Sequence, residues 1–116
     1  MILIKIGGGE HINWDAIAND PIFEKQEVVI VHGANAQMKE VSAQLGLSEQ
    51  MITSPSGQVS RHTDIKTMEI LTMVYSGLVN KKIVATLQKN NINSVGLTGA
   101  DGRLWLGKRK HAILSR

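Results

Sequence analysis

The chain has no cysteine among its 116 residues, which excludes disulfides, thiolate metal sites and cysteine nucleophiles. Aromatic residues are nearly absent as well. Trp14, Phe23, Tyr75 and Trp105 are the whole set, so the core has to be aliphatic. Long apolar runs are missing: none approaches the ~20 residues that span a bilayer. A hydrophobic content of 42% is that of an ordinary globular chain. Met1 runs straight into a strand-like segment with no basic leader or small-residue cleavage site, which predicts a cytoplasmic protein. Acids are absent from the last nine positions, where Lys108, Arg109, Lys110 and Arg116 concentrate part of the net charge of +3. No aromatic is interleaved in that run and no nucleic-acid motif accompanies it. It reads as a solvated basic edge or a docking surface for an acidic partner, with no nucleic acid and no membrane expected.

Two nucleotide motifs are missing too. G-x-x-x-x-G-K-[ST] does not occur, and G-x-G-x-x-G fails because Ile12 and Asn13 stand where a third glycine is needed. The four histidines, His11, His32, His62 and His111, are scattered without metal-ligand spacing, so no metal site is expected.

What is present begins with Met1 to Gly9, MILIKIGGG. The β-branched run around Lys5 is too short for a helix and reads as a buried strand. Gly7, Gly8 and Gly9 follow at once, and without a Cβ they let a ligand lie against backbone N–H groups. A lysine in a buried strand is costly unless its ammonium meets an anion. Lys5 with Gly7 and Gly8 therefore forms a candidate phosphate site at the carboxyl end of a strand, where open α/β sheets bind ligands. The plainer alternative is a strand-to-helix turn whose lysine head reaches solvent.

Further along, Ile12 to Ala18 has helical spacing with Asn13 as N-cap, and Pro21 ends it or starts a second short turn through Phe23. Val28 to Val31 reads as a second strand. Ala34 to Leu45 reads as a helix with Met38, Val41 and Leu45 on one face and Gly46 closing it. Turn residues fill Met51 to Thr63. A long helix is predicted from Asp64 to about Asn90, capped by Thr63 or Asp64, with a kink near Gly77. Its apolar side would be Ile65, Met68, Leu71, Val74, Leu78, Ile83 and Leu87. Ser94 to Thr98 and Leu104 to Leu106 read as strands around the turn Gly99 to Gly102, and another strand is expected to start at His111 to Leu114. The order β-α-β-α-loop-α-β-β calls for one α/β domain with a mostly parallel sheet and helices on its faces.

The second strand ends in Val31-His32-Gly33-Ala34-Asn35 at a helix start, which offers free N–H groups and a positive dipole end to an anion. Adjacent parallel strands would set both glycine turns side by side around one ligand. His32 reads either as a packed or capping histidine or as a catalytic base. Arg61, in the loop Gly57 to Thr63, could clamp a carboxylate in a bidentate fork, or it is an exposed loop arginine.

Taken in order, Ile4-Lys5-Ile6-Gly7-Gly8, Val31-His32-Gly33, the Gly57 to Asp64 loop, Gly77-Leu78-Val79-Asn80-Lys81, Val95-Gly96-Leu97 and Asp101-Gly102 resemble the amino acid kinase family. The N-acetylglutamate kinase branch is nearest. GQVSRHTD, SGLVNKKIV and DGRLWLGKRK are most similar to its LysW-aminoadipate and LysW-glutamate kinases. The Arg61 loop speaks against a carbamate or uridylate kinase. The resemblance implies the N-terminal half of a three-layer α/β sandwich, with residues 1–116 as its amino-acid-substrate-binding domain. It implies transfer of the ATP γ-phosphate to a side-chain carboxylate, with Mg2+ held through the nucleotide phosphates. The acceptor would be an N-blocked amino acid: aminoadipate or glutamate on an acidic LysW-type carrier protein, or N-acetylglutamate. By the same resemblance Lys5 neutralises the transferring phosphoryl group, Gly8 contacts phosphate, Gly33 and Ala34 bind substrate and phosphate through N–H groups, and Arg61 holds the substrate carboxylate. The long helix would form a homodimer interface, and the basic tail would suit the carrier. One departure is Ala34, which stands where the family has a second glycine; its Cβ is expected to limit close approach and any positive φ. Another is extent. The C-terminal nucleotide-binding domain is absent from these residues, so this chain alone is expected not to catalyse the reaction. The alternative is a catalytically inactive short binding or dimerisation module.

Overall fold

The structure is a computed structural model and describes residues 1–108. The expected basic run from Arg109 onward and the strand expected at His111 to Leu114 lie outside them. The chain folds as a mixed α/β protein. β1 (Ile2–Ile6) leads through the glycine turn to α1 (Trp14–Ala18) and the single turn α2 (Ile22–Lys25). β2 (Val28–His32) follows, then α3 (Asn35–Gln44), the strands β3 (Met51–Thr53) and β4 (Val59–Arg61), and a long helical rod. The rod comprises α4 (Ile65–Leu71), a π-wound stretch (Thr72–Val79) and α5 (Asn80–Lys89). A 3-10 turn at Asp101–Arg103 comes last.

β1 and β2 pair in parallel, with Ile2 opposite Val28 and Ile6 opposite His32. Side chains alternate across the strand. Ile2, Ile4 and Ile6 are half-buried, whereas Leu3 is 67% exposed and Lys5 is exposed beside it. The first strand is thus buried on one face only, and Lys5 escapes the desolvation cost that the sequence reading assigned to it. The core lies on the helical side. Ala18, Ala34, Met38, Ile70, Val74, Val79, Ile83 and Leu87 are buried there, and Trp14, Phe23 and Ile30 pack against them.

Local chemistry explains most boundaries. Asn13 caps α1 by accepting from the Ala16 N–H at 3.0 Å, and Asp64 caps α4 by accepting from the Thr67 N–H at 2.8 Å. That bond holds the Asp64 carboxyl below its ordinary pKa. α3 ends in a Schellman closure. The N–H of Leu47 bonds Ser42 O at 2.9 Å, that of Gly46 bonds Ala43 O at 3.0 Å, and Gly46 takes φ +70°.

Four differences from the sequence reading stand out. Leu45 is 55% exposed, because it caps α3 instead of continuing its apolar face; Ser42 is buried in its place. Met51 to Thr63 is not only turn: β3 and β4 pair antiparallel, with Met51 opposite Arg61, around a loop in which Gly57 takes φ +83°. The rod buries Ile70, Val74, Val79, Ile83 and Leu87, a spacing of 4, 5, 4 and 4. The step of five crosses the π-wound stretch, whose i→i+5 winding rotates Leu78 outward and Val79 inward. Ile65 and Met68 are exposed at 81% and 50%. Finally, neither Ser94 to Thr98 nor Leu104 to Leu106 forms a strand. A strand exists only through its ladder. Here the Gly96 and Leu97 carbonyls instead accept from the side chains of Lys81 and Asn80. Among the described residues no helix is long and apolar enough to cross a membrane.

Candidate functional site

The parallel register sets the two glycine turns against each other. Gly33 N–H donates to Ile6 O at 3.0 Å, and Ala36 N–H donates to Gly8 O at 2.8 Å. The second bond matters because Ala34, the N-cap residue of α3, has no side-chain acceptor to offer. The Gly8 carbonyl supplies the cap from the other turn.

The contact is backbone on backbone. A Cβ at Gly33 would stand 2.6 Å from Gly8 N and 3.0 Å from Gly8 Cα. A Cβ at Gly8 would fall onto the amide nitrogens of Ala34 and Asn35 and within 2.7 Å of Gly33 C. Glycine is therefore required at both positions by space, not by φ. Gly8 thus lies directly against the two leading amides of α3, with no room between them for a side chain. Among the described residues neither amide has an acceptor, and the same holds for Gly7 and Gly8. Of the two residues Ala34 is fully buried and Asn35 is exposed, and an exposed N–H at the start of a ten-residue helix suits an anionic oxygen. This is the chemistry a phosphate group needs.

Of the two restrictions expected from the Ala34 side chain, the one on backbone conformation does not come into play. Its φ is −151°, so no positive φ is asked of it, and it is wholly buried in the core.

Arg61 arrives from β4. Its Nη2 donates to Asn35 Oδ1 at 2.9 Å and to Glu49 Oε1 at 2.5 Å. With side chains only 14% and 21% exposed, Arg61 and Glu49 form a largely desolvated pair. The Arg61 Nε is buried without a partner among the described residues. So Arg61 is not a free loop arginine: it is anchored one residue past Ala34. Lys5 is different. It stands three residues before Gly8 on the exposed sheet face, with no hydrogen bond or ion pair among the described residues. A cleft of about 570 Å³ opens beside the turns, lined by Gly8, Gly9, Gly33, Trp14, Gln37 and Lys82, and reaches neither Lys5 nor Arg61.

The structure therefore joins Gly7 and Gly8 to Gly33 and Ala34, and brings Arg61 to that junction, but leaves Lys5 alone. His32 is resolved as a packed histidine. Its Nε2 lies 3.2 Å from Asn80 Nδ2 and its Nδ1 lies 3.3 Å from Gly33 O. The sequence reading missed three partners: Asn35, Glu49 and Asn80. Asn80 was visible inside the GLVNK stretch, whereas nothing local marked Glu49.

The site is thus a parallel α/β pair with abutting glycine turns at a helix start and an anchored arginine beside them. The chain belongs to the amino acid kinase family, whose model matches residues 1–114. It is similar to LysW-aminoadipate kinase of Thermus thermophilus, with 48% identity over 97% of this chain and 43% of that protein. LysW-aminoadipate kinase of Deinococcus radiodurans is 41% identical over 99% of this chain and 40% of its own length. Acetylglutamate kinase of Cytophaga hutchinsonii is 39% identical over 95% and 41%. The chain thus spans about two fifths of the length of these relatives.

Proposed function

We propose that residues 1–116 form the amino-acid-substrate-binding part of an ATP-dependent kinase acting on the side-chain carboxylate of an N-blocked amino acid. The acceptor would be aminoadipate or glutamate on an acidic LysW-type carrier protein, or N-acetylglutamate. The observation that carries this reading is the abutment of the two glycine turns at the start of α3, where Gly8 lies against the Ala34 and Asn35 amides, with Arg61 bonded to Asn35.

The Gly33 N–H is taken up by Ile6 O, so in this reading the start of α3 at Ala34 and Asn35 holds substrate oxygen through backbone N–H groups, and Arg61 reads the substrate's non-reacting carboxylate. Gly7, Gly8 and Lys5 face the transferring group, where Lys5 places a positive charge against the equatorial oxygens. ATP with Mg2+ on its phosphates would supply the phosphoryl group. Exposed Ile65, Met68 and Met73 on the rod support its use as a homodimer surface.

The test is an amide NMR titration of the chain with N-acetylglutamate and with a carrier-linked aminoadipate. The expected result is shifts at Gly8, Ala34 and Asn35, with Arg61→Ala weakening binding about tenfold or more, the loss of one charge-assisted contact. A titration that leaves those amides unmoved overturns the reading.

A further inference from the structure

Two stretches of the sequence have entered the site so far only through the Asn80–His32 contact: Gly77 to Lys81 and Val95 to Leu97. They meet at Asn80, a buried polar residue at the junction of the π-wound stretch and α5. The side-chain amide of Asn80 has its orientation fixed from two sides. Lys81 Nζ lies 3.0 Å from one end, and an ammonium only donates, so that end is the oxygen. Leu97 O lies 3.5 Å from the other end, and a carbonyl only accepts, so that end is the NH2. The NH2 also faces His32 Nε2 at 3.2 Å. Nε2 must then accept, which leaves the proton of a neutral imidazole on Nδ1. Nδ1 faces Gly33 O at 3.3 Å, an acceptor. Every group in the series has a compatible partner.

The consequence falls on the next peptide. The Gly33–Ala34 unit is planar and trans, so its C=O and N–H point in opposite directions. Holding the carbonyl toward His32 turns the Ala34 N–H the other way, and the Ala34 nitrogen lies against Gly8. We infer that Asn80 and His32 are positioning residues: Asn80 fixes His32 in its Nδ1–H form, and His32 aims the Ala34 amide at the ligand. This rests on the proposed role of that amide. Gly96 belongs to the same device, because any Cβ there would collide with Asn80 Oδ1 and stand 2.8 Å from Asn80 Cγ. Lys81, bonded to Gly96 O at 3.0 Å, closes the ring from outside.

Imidazole and amide nitrogen NMR on the full chain, with inorganic phosphate as the probe, tests the inference. In the wild type His32 is expected to carry its proton on Nδ1. In Asn80→Asp, whose carboxylate cannot donate, the proton should appear on Nε2. His32→Asn keeps a donor at the Nδ1 position and is expected to bind phosphate within about twofold of wild type. His32→Gln keeps only the Nε2 position and should bind about tenfold more weakly, the effect of one misdirected hydrogen bond. A wild-type His32 protonated on Nε2 overturns the inference, as does a His32→Gln chain that binds phosphate like wild type. A wild type whose Ala34 amide ignores phosphate overturns the role of that amide and, with it, the aiming by His32. The tautomer result then shows that the series itself is intact, which separates the two failures.

Discussion

The two glycine turns pack against each other but are built by different means. The first, Gly7-Gly8-Gly9, is all backbone, and at Gly8 no side chain fits because the amides of α3 lie where a Cβ would go. The second, Gly33-Ala34-Asn35, accepts an alanine because the Cβ of Ala34 leaves the site and enters the core at negative φ. The second turn is also held from outside, by Arg61 through Asn35 and by His32 through the Gly33 carbonyl. What matters in such a turn is where the Cβ would point, and each position has to be judged on that.

The largest test of this contrast is Gly8→Ala. Its Cβ meets backbone on α3 that cannot rotate away, so the turns must part. The expected cost is about 3 kcal/mol, the upper range for overpacking, with loss of ligand shifts at Ala34. Chemical denaturation measures it, and a variant as stable as wild type would mean the turns are not in contact.

Glu49→Ala probes the outside support of the second turn. The pair is mostly shielded from water, so the small values of surface ion pairs do not apply. A loss of about 2 kcal/mol is expected for one charge-assisted hydrogen bond. An unchanged denaturation midpoint would show that Asn35 alone holds Arg61.

Ala34→Gly should have the smallest effect. It removes one buried methyl, worth about 0.8 kcal/mol, while glycine is a better N-cap than alanine. Stability is expected to fall by less than about 1 kcal/mol with phosphate affinity unchanged. A large gain in affinity would restore the idea that the alanine side chain obstructs the site.

Features set within a few residues were legible in the chain. Asn13, Asp64 and Gly46 act where their positions said they would, because capping needs only neighbours three to five residues away. The pairing of the two glycine turns was also legible, since two parallel strands leave their carboxyl ends side by side. Other features were not. β3 and β4 have three residues each, too few for an alternating pattern, so only their turn chemistry showed. The apolar face of the rod was read at ordinary helical spacing. The π winding shifted it by one residue and exchanged Leu78 for Val79.

The sequence by itself determined the strand–glycine–helix units, their caps and the family, because backbone preference and motif spacing are written into consecutive residues. Tertiary structure alone decided which groups would be partners. Glu49 reached Arg61 across twelve residues, and Asn80 reached His32 across forty-eight. It also decided that Ser94 to Thr98 would give its carbonyls to side chains instead of a ladder. Buried polar groups must find complements wherever the packing places them, and no stretch of neighbouring residues carries that address.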